Sequence, residues 1–508
     1  MSITQPILPR SAGCFLHISS LPSEQGIGCF DEHAKSFINF LKMCGMSYWQ
    51  ICPLTPTSIG NSPYQGVSAF AGNPYFINLK ELVSLKLLER SELSTLRNLP
   101  SDHVDFSAIY EPFWAALQQA YNRFVEIGTN FDDFHKFVQQ ESYWLEDYSL
   151  FMSLKMVFKG IEWTKWPKKF RSSKSAKKNI QIFPHIDRTV RFYQFVQWIF
   201  FKQWQELRNH ANKSGIKIIG DVPIFVGLDS ADVWANQQFF KLNKLGSPTV
   251  VAGVPPDAFS KTGQLWGNPV FNWRRLKYSG YKWWINRLQH SFKLYDVARL
   301  DHFRGFQANW EVKSGEATAE HGKWVKTAGK HFFTGLNKKL PNARFIAEDL
   351  GVIDDETQKL LSFTKFPGMN VLQFAFDGQP NNKYLPHCHQ KNSILYLGTH
   401  DNDTTHGWFD HLQAKNKGYV RDYLRTDCSD VTWDMIKLAY GSVANLLILT
   451  MPDILNLGSE ARFNTPNTMN SNNWAWRVTD EQLEQIKRYK TDNYLRFLAT
   501  TYGRMSNE

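Results

Sequence analysis

The chain is 508 residues long, 43% hydrophobic and 21% charged, with a formal net charge of +11. That length suits two to four domains, or one barrel of about 250 residues carrying large insertions, and can bury a core without disulfide staples. No apolar run approaches the roughly 18 residues of a membrane span, and Met1 to Pro6 lacks a secretory signal's basic and apolar regions, so a soluble, cytoplasmic protein with no membrane contact is expected.

Residues 14–21 and 47–54 read as the first two strands, with helical spacing over Ser36 to Leu41 between them, which is a βαβ unit. From about residue 81 to 213 amphipathic helical patterns dominate, as in Phe113 to Phe124 and Phe192 to His210, and predict a mainly helical insertion subdomain. Within it, seven Lys and Arg between Lys165 and Lys178 are interspersed with Ser and Pro and no acidic residue, which predicts a solvated loop. This localised charge, without zinc-finger spacing or a basic helix, argues against a nucleic-acid partner. Barrel texture returns at Ile216 to Asp221, so residues 1–80 and 214–508 are expected to build one barrel around the insertion.

Further strands are expected to end at Asp301, Glu348 and Asp401, with Asn370 to Phe374 between the last two and Leu446 to Leu449 as the eighth. Residues 306–340 exceed an ordinary βα loop and predict a second insertion. Thr479 is placed to N-cap a closing helix running to about Leu498, with Gln482 completing a capping box. The alternation and the count predict an α/β fold, a (β/α)8 barrel. Cys14, Cys29, Cys44, Cys52, Cys388 and Cys428 include no C-x-x-C pair, so free buried thiols in a reducing compartment are expected.

An apolar run that stops at a charge reads as a parallel strand leaving a barrel core for a cleft. Three such strands, ending at Asp301, Glu348 and Asp401, bring carboxylates to one rim, where barrel enzymes place their chemistry. Paired carboxylates on such a rim suit glycosidic bond cleavage. Arg299 and Asp301, two apart on a strand, share a face, and the guanidinium would keep the carboxylate ionised and fix its rotamer. Glu348 is a candidate general acid, with Asp349 beside it and helix capping left to Asp354 or Asp355. Asp401 and His400 could grip adjacent hydroxyls of one sugar. No H-E-x-x-H or EF-hand spacing predicts a metal. Tyr64, Trp266 and Asn268 sit in Gly/Pro/Asn-rich stretches whose turn chemistry leaves the aromatics unexplained, and 18 Trp in the chain hint at sugar platforms.

Together these motifs resemble the 4-α-glucanotransferases (amylomaltases, or disproportionating enzymes) of glycoside hydrolase family 77. The matching stretches are Gly220 to Val226, Gly263 to Pro269, the three acid motifs and Leu457 to Arg462. The resemblance runs from about residue 13 to 477 and is thinnest across the helical insertion. It implies a barrel without the C-terminal β domain of α-amylase relatives, no cofactor or metal, and α-1,4-glucans and maltooligosaccharides as donor and acceptor. It also implies Asp301 as nucleophile, Glu348 as acid/base and Asp401 as transition-state stabiliser. Arg299, Asp221, His302 and His400 would support them, with Tyr64 on the donor sugar and Trp266 on the acceptor side. The chain departs from the family at Ala258-Phe259, Ile59, Thr450-Met451-Pro452-Asp453 and Asn467, so altered chain-length preference is expected.

Overall fold

A computed structural model describes residues 7–128, 131–256 and 260–505. The Ala258-Phe259 departure lies outside the described residues, as does the Ile59 side chain. In chain order the strands are β1 (Ser11–Phe15), β2 (Tyr48–Gln50), β3 (Lys217–Val222), β4 (Val250–Val254), β5 (Gln264–Pro269), β6 (Val297–Leu300), β7 (Ala308–Lys313), β8 (Gly322–Lys326), β9 (Phe345–Ala347), β10 (Gly368–Val371), β11 (Ser393–Tyr396) and β12 (Leu446–Thr450). Eight of them form one parallel sheet in the order β10-β11-β12-β1-β2-β3-β6-β9. Their apolar runs are buried on both faces, as a parallel sheet covered by helices requires.

The sheet closes on itself between β9 and β10. Ala347 N–H donates to the Pro367 carbonyl at 2.9 Å, and the Asp349 carboxylate accepts the Met369 N–H at 2.7 Å. A side chain thus takes a ladder bond at the seam. Gly368 makes room for it, since a Cβ there would lie 2.5 Å from Asp349 Oδ2. The protein is therefore a (β/α)8 barrel.

Helices cover the barrel outside. Helix Glu32–Met43 starts at Asp31, whose carboxylate accepts from His33 N–H, and buries Ala34, Phe37, Ile38 and Leu41 along one face. Helix Ile186–Lys213 packs on that helix and on β3. Its Gln197 and Gln203 amides each pair with both backbone groups of one residue, Gly72 and Asn78, in the long loop after β2. Helices Phe106–Ile127, Phe131–Gln140 and Ser142–Val157 precede it. Among the described residues no helix is long and apolar enough to cross a membrane.

Several boundaries differ from the sequence reading. The first strand runs Ser11–Phe15, and Ile18–Ser20 form a 3-10 turn. The strand expected at Asn370 to Phe374 ends at Val371 and passes into a 3-10 turn. The closing helix is two helices, Asp480–Tyr489 and Thr491–Thr501, because Lys490 takes the left-handed conformation at φ 53°. The Thr479–Gln482 capping box is present. The basic segment is not a loop: it folds into short helical turns and a helix, Ser173–Asn179, because Trp166 and Phe170 are buried beneath it and Trp234 Nε1 donates to the Phe170 carbonyl. Cys388 is half-buried, while the other five free thiols are buried. Beyond the barrel, β4, β5, β7 and β8 form an antiparallel sheet in the order β5-β4-β7-β8, with Trp310 opposite Trp324.

The last described helix is tied to the barrel base by a buried cation that, among the described residues, is held by carbonyls rather than by a carboxylate. Arg504 is fully buried and donates to the carbonyls of Tyr440, Ser11, Ala444, Asn445, Ala439 and Ser442, at 2.8 to 3.4 Å. Arg504→Ala strands those acceptors, and the thermal unfolding midpoint should fall by the equivalent of about 3 kcal/mol or more. Gly220 on β3 has the Tyr295 ring 2.1 Å from where a Cβ would stand, so Gly220→Ala should also lower the midpoint, by overpacking worth about 1–3 kcal/mol.

Candidate active site

The site grows from one register. β3 and β6 pair so that Asp221 stands opposite Arg299, both side chains facing the barrel interior. Arg299 Nη1 donates to Asp221 Oδ2 at 2.5 Å and to Asp301 Oδ1 at 2.9 Å. The Arg299 and Asp221 side chains are only 5% and 2% exposed, whereas Asp301 is 28% exposed and opens to the rim. The two flanking carboxylates raise the Arg299 pKa against a burial effect that lowers it, and burial raises that of Asp221. Tyr64, from the loop after β2, donates its hydroxyl to the same Asp221 oxygen at 2.7 Å.

Glu348 follows β9, the strand next to β6. It is bound by the backbone of its neighbours: His302 N–H donates to Oε2 at 2.7 Å and Leu350 N–H to Oε1 at 2.9 Å. His302 takes a left-handed conformation, φ 49°, which turns its N–H toward the acid. That bond places Glu348 against the residue following Asp301. Burial first, and then the Asp301 charge, push the Glu348 carboxyl up to about 7, against the opposing pull of Arg299 and the two N–H donors. Burial holds the His302 imidazole down at about 4, so the ring is neutral at pH 7.

Asp401 is not at a strand end, because β11 stops at Tyr396. The chain then makes a polar turn in which the Asn402 carboxamide oxygen accepts from the Thr399 N–H and hydroxyl. The adjacent His400 is buried and stacks between Phe15, at 5.6 Å, and Tyr64, at 5.2 Å, with Nε2 3.6 Å from Asp401 Oδ2. Trp266 reaches the rim from β5 of the antiparallel sheet and meets His302 edge to face at 4.8 Å. Asn268 is placed differently. It is buried, donates to the Val226 carbonyl at 3.0 Å and pairs with the Gln65 amide, so it ties the Tyr64 loop to β5 rather than offering an open amide. Among the described residues no cluster of three His, Cys, Asp or Glu side chains could hold a metal ion.

Two participants escaped the sequence reading as site residues: Arg462 and Asn464 bond Asp401 from the loop after β12. Trp474, in an Asn- and Trp-rich stretch for which the sequence weighed sugar contact against turn and packing, backs Tyr64 and His400 at 5.7 Å from each. Arg462 closes the Leu457 to Arg462 motif, which was the available signal.

Carboxylates gathered at the C-terminal ends of parallel strands, with aromatic walls beside them, define a (β/α)8-barrel enzyme. The chain belongs to the 4-alpha-glucanotransferase family, Glyco_hydro_77, whose profile it matches over residues 16–483. It is 44% identical to the 4-alpha-glucanotransferase of Clostridium butyricum, covering 96% of this chain and 100% of that one. With the enzyme of Streptococcus pneumoniae TIGR4 it shares 42% identity over 98% of each chain. The amylomaltase of Streptococcus agalactiae in complex with acarbose superposes with a TM-score of 0.93 at 36% identity, over 98% of this chain and 100% of that one.

The buried pair yields a double test. Arg299→Met leaves Asp221 sealed without its cation and should cost about 3–5 kcal/mol, read from thermal unfolding. Adding Asp221→Leu to that variant should restore much of the loss, because two apolar side chains then replace the pair.

Proposed function

We propose that the protein is a 4-α-glucanotransferase that moves α-1,4-glucan segments between maltooligosaccharides by a retaining double displacement. Asp301, oriented by Arg299, attacks the anomeric carbon of the donor. The glycosidic C–O bond breaks as Glu348 passes its proton to the departing oxygen, and a covalent glucosyl-enzyme forms. The 4-hydroxyl of an acceptor glucan then attacks that carbon, Glu348 takes the hydroxyl proton, and Asp301 leaves as a carboxylate. Asp401 and His400 grip hydroxyls of the donor sugar in its distorted ring, Tyr64 stacks on that sugar, and Trp266 receives the acceptor. The free thiols support a reducing, cytoplasmic setting.

One observation carries this reading: two adjacent carboxyls stand in opposite environments. Asp301 is paired with a guanidinium and open to the rim, while Glu348 is pushed up to about 7 by burial and by Asp301. That is the division between a nucleophile and an acid.

Maltotriose incubation tests the assignment. Transfer yields glucose and longer glucans at nearly constant reducing ends, whereas a steady rise in reducing ends without longer products would mark a hydrolase. The proton on Glu348 is present below about pH 7 and lost above it, so kcat/KM for the donor should fall about tenfold per unit as pH rises past that point. Glu348→Gln should remove this alkaline limb and lower turnover about 10²–10⁴-fold.

A further inference from the structure

Asp401 differs from the other two acids in that no strand holds it. Its strand ends at Tyr396, and its side chain is 49% exposed. A half-exposed aspartate on a turn would sample several rotamers. Here both carboxylate oxygens have neighbours: Asn464 Nδ2 donates to Oδ1 at 2.6 Å, and His400 Nε2 lies 3.6 Å from Oδ2. The backbone is held from the same side. Arg462 Nη2 donates to the Asp401 carbonyl at 2.6 Å, and its Nε donates to the Asn464 carbonyl at 2.7 Å. A third tie between the same two loops runs from Ser459 Oγ to Asp403 Oδ2 at 2.8 Å.

The loop that supplies these donors is braced by its own bonds. Trp474 N–H donates to the Phe463 carbonyl at 2.6 Å and closes its neck. The buried Asn473 side chain accepts from Thr465 N–H and donates to the Thr468 carbonyl, both at 3.0 Å. Asn467 turns the chain at φ 60°, a conformation asparagine tolerates. The buried Trp474 ring packs against Tyr64 and His400, so the loop is anchored to the wall of the site as well.

We propose that Asn464, supported by Arg462, is a positioning residue that sets the Asp401 carboxylate before the sugar arrives. The proposal rests on the role given to Asp401 above. A carboxylate that must meet a distorted sugar ring accelerates the reaction only if its direction is established beforehand. The Asn464 amide supplies that direction without adding a charge, and the guanidinium of Arg462 acts on the Asp401 backbone. Among the described residues, His400 on the same loop and Arg462 on the facing one are the titratable or charged groups in contact with Asp401, and the buried Cys52 thiol after β2 lies within its field.

The test compares Asn464→Ala, Asn464→Asp and Asp401→Asn with the parent protein on maltotriose, reading kcat, KM, thermal midpoint and pH profile. Asn464→Ala should lower kcat about 10²-fold with KM and midpoint near the parent values. Asn464→Asp puts a second carboxyl where the amide stood, and two carboxylates that close cannot both ionise. A shared proton then replaces the lost N–H bond, so its activity relative to the parent should recover as pH falls. The proposal is overturned if Asn464→Ala keeps kcat within about twofold while Asp401→Asn is inactive. It is overturned equally if kcat falls only in step with the midpoint, or if the Asn464→Asp pH profile superimposes on the parent. An active Asp401→Asn would instead remove the role of Asp401 on which the proposal stands.

Discussion

Everything at the rim is referred to one guanidinium. Arg299 is almost fully buried, and a cation in that position is tolerable only because Asp221 faces it across the β3–β6 ladder and Asp301 lies beyond it. Asp221 does not reach the rim; it compensates the charge that aims Asp301. By accepting the Tyr64 hydroxyl on the same oxygen, it also carries the order of the barrel floor into a long loop. The His400 ring stacks on Tyr64, and Asp401 follows in sequence, so the third acid inherits its place from the same centre.

The two carboxyls differ in environment because of local geometry rather than residue type. Asp301 has a cation within hydrogen-bonding distance. Glu348 has two backbone N–H groups and the Asp301 charge, in a site that strips water from it. The left-handed turn at His302 serves both, since it directly follows Asp301 and directs an N–H at Glu348. Above them the four-stranded antiparallel sheet contributes Trp266, and the Asn268–Gln65 amide pair keeps that sheet and the Tyr64 loop in fixed relation.

The barrel strands were legible because parallel strands buried on both faces are mostly apolar, and β3, β6, β9, β11 and β12 each contain such a run, broken in β3 and β6 by Asp221 and Arg299. The acids after β6 and β9 stood out as charges ending such runs. The antiparallel sheet was not legible. Its pairs β4–β5 and β7–β8 are separated in sequence by a barrel strand, and the Gly- and Pro-rich stretch preceding β5 reads as turn. The basic segment misled for a related reason: its charges are exposed, but the aromatics among them are buried under neighbours distant in sequence, and composition alone does not show which residues turn inward.

From sequence alone came the barrel, its eight-strand rhythm, three candidate acids and the pairing of Arg299 with Asp301. The strands and the pairing are written in local periodicity and in residues two apart along the chain. Tertiary structure alone decided that Asp221 shares that guanidinium and that Glu348 is lifted to about 7. It also decided that Asn268 is a tie, and that Asp401 is held by Asn464 from across a loop boundary. Those properties depend on burial and on contacts between strands and loops far apart in the chain. They therefore exist only once the barrel has closed and water has left its core.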